Sequence, residues 1–161
     1  GYIYLSNATL DLTAQDDAIQ GNAIVQIDSG TIRIHTSSEG IEATHVQING
    51  GEISIYATDD GINAAQKSAC DVLIEINGGV ISVEVGSGDT DALDSNGDLY
   101  INGGTLTVTA NSAFDYDNTG VLNGGAVTVN GEAVTVLTPS QMGGGPMGGG
   151  MMGGFGGKPG R

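Results

Sequence analysis

A short corner motif recurs along the chain, flanked on both sides by alternating apolar and polar residues. Four copies read Asn-Gly-Gly, at residues 49–51, 77–79, 102–104 and 123–125, and weaker copies begin at Ser6 and Asp28. Successive copies start 21 to 28 residues apart. Alternation with a period of two, rich in β-branched residues, is typical of a strand with one buried face. A head-to-tail repeat of this length indicates a solenoid in which each copy forms one turn.

Each repeat contains two alternating strands, one on each side of the corner, and a third segment that is acidic and carries one apolar residue. Asp60-Gly61-Ile62 and Asp91-Ala92-Leu93 are examples of the third segment. Three short sides in a turn of about 22 residues predict an all-β fold, a single-stranded right-handed parallel β-helix (β-solenoid) of about six rungs. A sandwich of antiparallel hairpins is the alternative, and the head-to-tail order of identical features argues against it. Glycine at the corner permits the positive φ that a sharp bend requires.

Composition divides the chain near residue 138. All three prolines and all four methionines follow that position, and 11 of the 29 glycines lie in residues 143–160. We expect residues 1–138 to form the parallel β-helix and residues 139–161 to be a Gly/Met/Pro-rich low-complexity tail or linker. Residues 66–71 and 86–88 lengthen two rungs, and insertions in solenoids tend to cluster on a functional side. The last rung lacks the acidic segment, so we expect it to end in a tight hairpin near Gly131.

The charge distribution excludes several classes of partner. All 19 Asp and Glu residues precede residue 139, where Arg33 and Lys67 are the only Lys or Arg residues. Such a surface repels phosphate backbones and anionic membranes, so we expect no nucleic-acid binding. We also expect no membrane insertion, because no apolar run approaches the length of a membrane span. Cys70 is the single cysteine, which excludes a disulfide framework and a thiolate metal cluster.

Acidic residues of successive repeats fall into columns. In a β-helix, equivalent residues of adjacent rungs lie about 4.8 Å apart, and carboxylates that close repel one another. Calcium (Ca2+) accepts carboxylate, amide and backbone oxygens and tolerates irregular geometry, so the columns predict calcium sites. The alternative is a solvated acidic edge that keeps a sheet protein soluble. The candidate ligands are Asp91, Asp94, Asn96 and Asp98 with Asp115 and Asp117; Asp59 and Asp60 with Glu39, Glu42 and Asn63; and Asp16 and Asp17 on the first rung.

The strand after each corner presents a flat outward face that is rich in hydroxyl groups. Thr9, Ser54, Ser82 and Thr107 are examples. This face could hydrogen-bond a polysaccharide, although Ser and Thr are common on any exposed strand. A calcium-assisted polysaccharide lyase is a distant third function, because it would need a strong base beside the sugar and the body of the chain offers few. We therefore expect no catalytic residues and no enzyme activity.

Three segments carry a resemblance to a known family: residues 48–55, residues 58–64 and residues 91–104 with their Asp-Ala-Leu-Asp-Ser-Asn-Gly run. Over about residues 24–125 the chain resembles a family of secreted bacterial parallel β-helices, the carbohydrate-binding domain-containing proteins. Their members often carry Gly/Met/Phe-rich segments like residues 142–157. The resemblance implies calcium on the acidic segments, an extracellular location and non-catalytic binding of plant-type polysaccharides, acidic ones included. The short chain and its irregular first rung depart from the family pattern.

End-to-end self-association is the alternative function. A β-helix exposes the backbone hydrogen-bonding groups of its first and last rungs, and residues 1–12 show no feature of a cap. Neighbouring molecules could stack rung on rung into an extracellular filament or matrix fibre, with calcium reducing the repulsion between subunits. The two functions are compatible, because a matrix fibre can also hold polysaccharide.

Overall fold

The computed structural model describes residues 1–88 and 90–139. These residues form strands, turns and loops, so this part of the chain contains no helix that could cross a membrane. The strands, numbered in chain order, are β1 (Tyr2–Leu5), β2 (Ala8–Thr13), β3 (Ile19–Gln20), β4 (Ile24–Ile27), β5 (Gly30–Thr36), β6 (Ile41–Ala43), β7 (His45–Ile48), β8 (Glu52–Ala57), β9 (Ile62–Ala64), β10 (Leu73–Ile76), β11 (Val80–Val85), β12 (Asp91–Ser95), β13 (Asp98–Ile101), β14 (Thr105–Thr109), β15 (Ser112–Tyr116), β16 (Gly120–Leu122), β17 (Ala126–Val129) and β18 (Glu132–Val134).

The strands form three sheets, and each sheet is one face of the solenoid. Sheet A has the order β1-β4-β7-β10-β13-β16, sheet B the order β18-β17-β14-β11-β8-β5-β2, and sheet C the order β15-β12-β9-β6-β3. Apart from β17 and β18, neighbouring strands are three apart in the chain and pair in parallel. One turn of the chain therefore adds one strand to each sheet, and the predicted parallel β-helix of about six rungs is confirmed. The right-handed winding stays a prediction.

The core consists of aliphatic columns that run along the solenoid. In sheet A, Val46 pairs with Val25 on one side and Ile74 on the other, and Ile74 pairs in turn with Leu99. All four side chains are fully buried. Burying each such side chain contributes roughly 1.5–3 kcal/mol. The outward residues between them are consequently held at the spacing of the rungs.

The Asn-Gly-Gly corners connect sheet A to sheet B, and a ladder of side-chain hydrogen bonds links each of these corners to the next. Asn77 Nδ2 donates to Asn49 Oδ1, Asn102 to Asn77, and Asn123 to Asn102, at 2.7–2.8 Å. The last glycine of each corner has a positive φ, as at Gly51 with 105°. The prediction that glycine at the corner permits the bend through a positive φ is therefore confirmed.

The predicted hairpin closes the last rung. Strands β17 and β18 pair antiparallel around Asn130 and Gly131, which both have positive φ. The Asn130 side chain accepts a hydrogen bond from the Ala110 N–H and donates one to the Ala110 carbonyl. Leu137 is buried beyond the hairpin, and its carbonyl accepts a hydrogen bond from the Tyr116 hydroxyl at 3.3 Å. The stack of sheet B thus ends in a reversed strand.

The described strands end at Val134, inside the range 1–138 expected for the β-helix. Residues 140–161, and with them nearly all of the expected Gly/Met/Pro-rich tail, lie outside the described residues.

Candidate functional site

Sheet C carries the acidic segments and arranges them in two outward columns. Strand pairing defines the second column, and backbone hydrogen bonds such as Ala18 N–H to the Glu39 carbonyl hold the rungs of the first together. We name the two columns the acidic band, which consists of Asp17, Glu39, Asp60 and Asp91 in the first column and Gln20, Glu42, Asn63, Asp94 and Asp115 in the second.

Glycine between the two columns sets how closely the rungs of the acidic band pack. A Cβ on Gly61 would lie 2.2 Å from Val83 Cγ1 and 2.6 Å from the Ala92 carbonyl oxygen. A Cβ on Gly40 would lie 2.4 Å from the Gly61 carbonyl oxygen. Backbone therefore packs against backbone at these positions, and a side chain at either glycine would force adjacent rungs of the acidic band apart.

One end of the band, the Glu42 cluster, consists of Asp17, Glu39 and Glu42. One carboxylate oxygen of each residue lies within 4.8 Å of those of the other two, which makes this cluster able to hold a metal ion. Glu42 is only 5% exposed, and its Oε2 atom lies 2.5 Å from Lys67 Nζ and accepts a hydrogen bond from Gln20 Nε2 at 2.7 Å. Lysine thus already occupies one side of the cluster.

The pKa values of the Glu42 cluster reflect crowding of like charge. Burial raises the pKa of Glu39 to about 7; a hydrogen bond with Asn63 lowers it, and the charges of Glu42, Asp17 and Asp60 act with burial. Burial also raises the pKa of Asp17 to about 6, with Glu42 adding to the shift. Although burial acts on Glu42 as well, hydrogen bonds from Lys67 and Gln20 outweigh it and lower the pKa of Glu42. Two of the three carboxyls therefore ionise only near neutral pH.

The other end of the band, the Asp94 cluster, consists of Asp60, Asp91, Asp94, Asp115 and Asp117. Burial, together with the negative charges of the other four residues, raises the pKa of Asp94 to about 7. Asp60 Oδ1 accepts a hydrogen bond from the Asp91 N–H at 2.8 Å, and Asp91 Oδ1 accepts one from Ser112 Oγ. The main influences on the pKa of Asp94, burial and four like charges, all raise it. A cation would relieve this repulsion.

Two buried oxygen atoms of the band have no hydrogen-bond partner among the described residues, Glu39 Oε2 and Asn63 Oδ1. Asn63 is 9% exposed and pairs with Glu42 on one side and Asp94 on the other, so it lies between the two clusters. Buried polar atoms are rarely left without a partner. Two unpartnered oxygens beside crowded carboxylates are the donor set that a hard cation such as calcium prefers.

The structure divides the ligand set predicted in residues 91–98. Residues 91–95 form strand β12 instead of a loop, which places Asp91 and Asp94 in the Asp94 cluster with Asp115 and Asp117. Asn96 and Asp98 lie at the following corner, where they line a separate cavity.

Asp16 and Asp59 are exposed and lie one residue before the first column of the band. Ser38 joins them through the backbone, because its N–H donates to the Asp16 carbonyl and its carbonyl accepts from the Asp59 N–H. Sequence reasoning missed Lys67 as the partner of Glu42. The signal was available, since Lys67 is one of two basic residues before residue 139 and belongs to the insertion at 66–71.

The outer face of sheet B contains a shallow groove of about 230 Å³ around Tyr56. Tyr56 is 37% exposed, pairs with Glu84 on the next rung, and shares the groove with His35, Ser54 and Ser82. Two polar pairs lie nearby: His35 Nε2 lies 2.5 Å from Asp11 Oδ1, and Arg33 lies 3.7 Å from Glu52, while the Glu84 carboxylate also lines the groove. The groove therefore offers an aromatic ring among hydroxyl groups, the combination that stacks on a sugar ring and bonds its hydroxyls.

Comparison with known proteins gives one match. A family model described as "Carbohydrate-binding domain-containing protein" matches residues 1–92, which include sheet C up to the start of β12. No curated protein and no solved structure matches the chain significantly. The family model covers more than half of the 161 residues, from the first strand to the first residues of the Asp94 cluster. The chain therefore belongs to the carbohydrate-binding domain-containing protein family.

Proposed function

We propose that this chain is a non-catalytic extracellular module that binds polysaccharide and is supported by calcium. Family membership and the β-solenoid fold support carbohydrate binding. The observation that carries the proposal further is the groove around Tyr56, because it places an exposed ring beside Ser54 and Ser82 on the outer face of a seven-stranded sheet.

Calcium is the cation that best fits the acidic band. The band supplies only oxygen donors, several of them carboxylates, with the buried amide oxygen of Asn63 between the clusters. Asp17, Glu39 and Glu42 would hold one ion, because their carboxylate oxygens lie within 4.8 Å of one another. The like charges around Asp94 favour a second ion there. Bound calcium would supply positive charge to carboxylates that otherwise repel each other, and so keep sheet C intact at neutral pH.

The sugar-binding part of the proposal is tested on the groove of sheet B. Affinity electrophoresis of the full chain in gels containing neutral or acidic plant polysaccharides, with calcium and with chelator, measures binding directly. We expect Tyr56→Ala to weaken binding about fivefold to tenfold through loss of stacking. Tyr100→Ala on sheet A is the matched control. Equal binding by wild type and Tyr56→Ala would remove the groove from the proposal, and absence of retardation in every gel would remove carbohydrate binding altogether.

Self-association is the second candidate function, and the free edges of β1, β2 and β3 favour it. Each of these strands is the terminal strand of its sheet among the described residues. The other end of sheet B carries the antiparallel strand β18, which does not offer a parallel edge to the first rung of a neighbour. Light scattering during titration with calcium and then chelator is the test. Reversible growth into elongated particles would make self-association the primary function, whereas a monomer throughout would exclude a calcium-driven filament.

A further inference from the structure

The insertion in the third rung forms a loop, residues 65–72, between β9 and β10. Thr44 anchors this loop. It is fully buried, and its Oγ1 accepts hydrogen bonds from the Lys67 N–H at 2.9 Å and the Ser68 N–H at 3.0 Å. The same hydroxyl donates to the Asn22 carbonyl at 2.9 Å. The salt bridge from Lys67 to Glu42 attaches the loop to β6. Specific hydrogen bonds and a salt bridge therefore hold the loop against the solenoid.

A cavity of about 350 Å³ lies beside this loop, at the corner between sheets C and A. Close packing of the loop against the next rung shapes it, since a Cβ on Gly97 would lie 2.1 Å from the Val72 carbonyl oxygen. Its volume is within the range of about 300–1,000 Å³ that is usual for ligand pockets. The polar side chains that line it are Gln66, Asp71, Asn96, Asp98 and Asn118.

We propose that this corner cavity is a subsite for a neutral sugar residue of the polysaccharide, an inference that rests on the proposed carbohydrate-binding function. Asn96 and Asn118 each offer an amide donor and an amide acceptor, and Asp71 adds a carboxylate that accepts from hydroxyl groups. Sugar hydroxyls both donate and accept, so this mixture of groups matches adjacent hydroxyls of one ring.

The lining also discriminates between classes of ligand. Among the described residues, the group of three carboxylates close enough to share a metal ion is Asp17, Glu39 and Glu42, which lies outside this cavity. No Lys, Arg or His side chain lines the cavity, whereas Asp71 and Asp98 do. A uronate carboxylate would be repelled by both aspartates. A neutral sugar is therefore preferred over an acidic one.

The test is isothermal titration calorimetry of the full chain with neutral xylo-, manno- and gluco-oligosaccharides and with oligogalacturonate. Asn96→Ala and Asn118→Ala remove side chains that are exposed, so the fold is expected to survive, and a melting curve for each variant checks this. We expect each variant to bind the neutral ligand about fivefold to tenfold more weakly, which corresponds to one or two lost hydrogen bonds. Gln15→Ala, at an exposed position outside both the cavity and the sheet B groove, is the control for a general loss of affinity.

Each outcome separates this inference from the function on which it rests. Binding of a neutral oligosaccharide by wild type and its loss in the two Asn variants would support the subsite. Unchanged affinity in both variants, or a preference of wild type for oligogalacturonate, would overturn the subsite and leave the proposed function standing. Loss of a bound calcium ion in Asn96→Ala without a change in sugar affinity would also overturn it. Failure of wild type to bind any of these sugars would reject the proposed function and the subsite together.

Discussion

Asp94→Asn is the sharpest perturbation of the acidic band, because it removes one negative charge and keeps the shape of the side chain. In the folded protein the pKa of Asp94 is raised from 3.8 to about 7 by burial and by four neighbouring carboxylates. The folded state therefore binds more protons than the unfolded state across this window, and the free energy of unfolding falls as pH rises from about 4 to about 7. Below that window Asp94 is protonated in both states and has no effect on stability.

The magnitude follows from the size of the shift. About three pKa units correspond to roughly 4 kcal/mol at 1.36 kcal/mol per unit. Asp94 is only half-buried, so solvent screening reduces this to about 2 kcal/mol. In chelator at neutral pH, Asp94→Asn should therefore be more stable than wild type by about 2 kcal/mol. In excess calcium the order should reverse, because the variant loses a ligand and gains less from the ion.

The assay is urea denaturation followed by circular dichroism at about pH 4 and about pH 8, with chelator and with calcium. Asp59→Asn is the matched control, since Asp59 is exposed and is absent from the groups that act on Asp94. We expect the control to change stability by less than about 0.5 kcal/mol under all four conditions. Destabilisation of Asp94→Asn in chelator at the higher pH would refute the account of charge repulsion in this cluster.

Three other substitutions test separate parts of the structure. Lys67→Met should lower the melting temperature in chelator, because Glu42 then stays buried without the cation that pairs with it. The same variant should bind calcium more tightly at the Glu42 cluster in a calorimetric titration, and weaker calcium binding would contradict this. Leu93→Ala should cost about 2–5 kcal/mol in urea denaturation, since Leu93 is fully buried in the core, and a cost below about 1 kcal/mol would mean that the column repacks. Asn77→Ala breaks two hydrogen bonds of the corner ladder and should lower the free energy of unfolding by about 1–2 kcal/mol. Asn123→Ala breaks one such bond and should lower it by roughly half as much. Equal losses would show that the ladder bonds contribute little.

The fold was predictable because the rungs repeat the same local sequence pattern. Asparagine and glycine at the corner mark the bend, and alternating residues such as Val46 and Ile48 mark the strand that enters it. Equivalent residues of consecutive rungs then pair, so a column in the aligned repeats becomes a column in space. The second column of the acidic band, from Gln20 to Asp115, follows directly from this alignment.

The grouping of the ligands was less predictable, because it depends on where the strand of sheet C ends. Asp94 and Asp98 look like members of one calcium loop in the sequence, yet β12 continues to Ser95 and the chain turns between them. The partner of Glu42 comes from an insertion with no counterpart in the other rungs, so no repeat alignment could place Lys67 against it. Contacts made by inserted residues must be read from the structure.

The reversal at Asn130 and Gly131 has a consequence for the length of the molecule. Among the described residues, β18 pairs with β17 alone, so the hairpin terminates this part of sheet B whatever the number of rungs before it. Duplicating one repeat ahead of β16 would lengthen the rod by about 4.8 Å and keep its ending unchanged. Each duplication would also extend the acidic band and the outer face of sheet B by one position. Changing the repeat number would therefore change the reach of the module along a polysaccharide chain without redesign of either end.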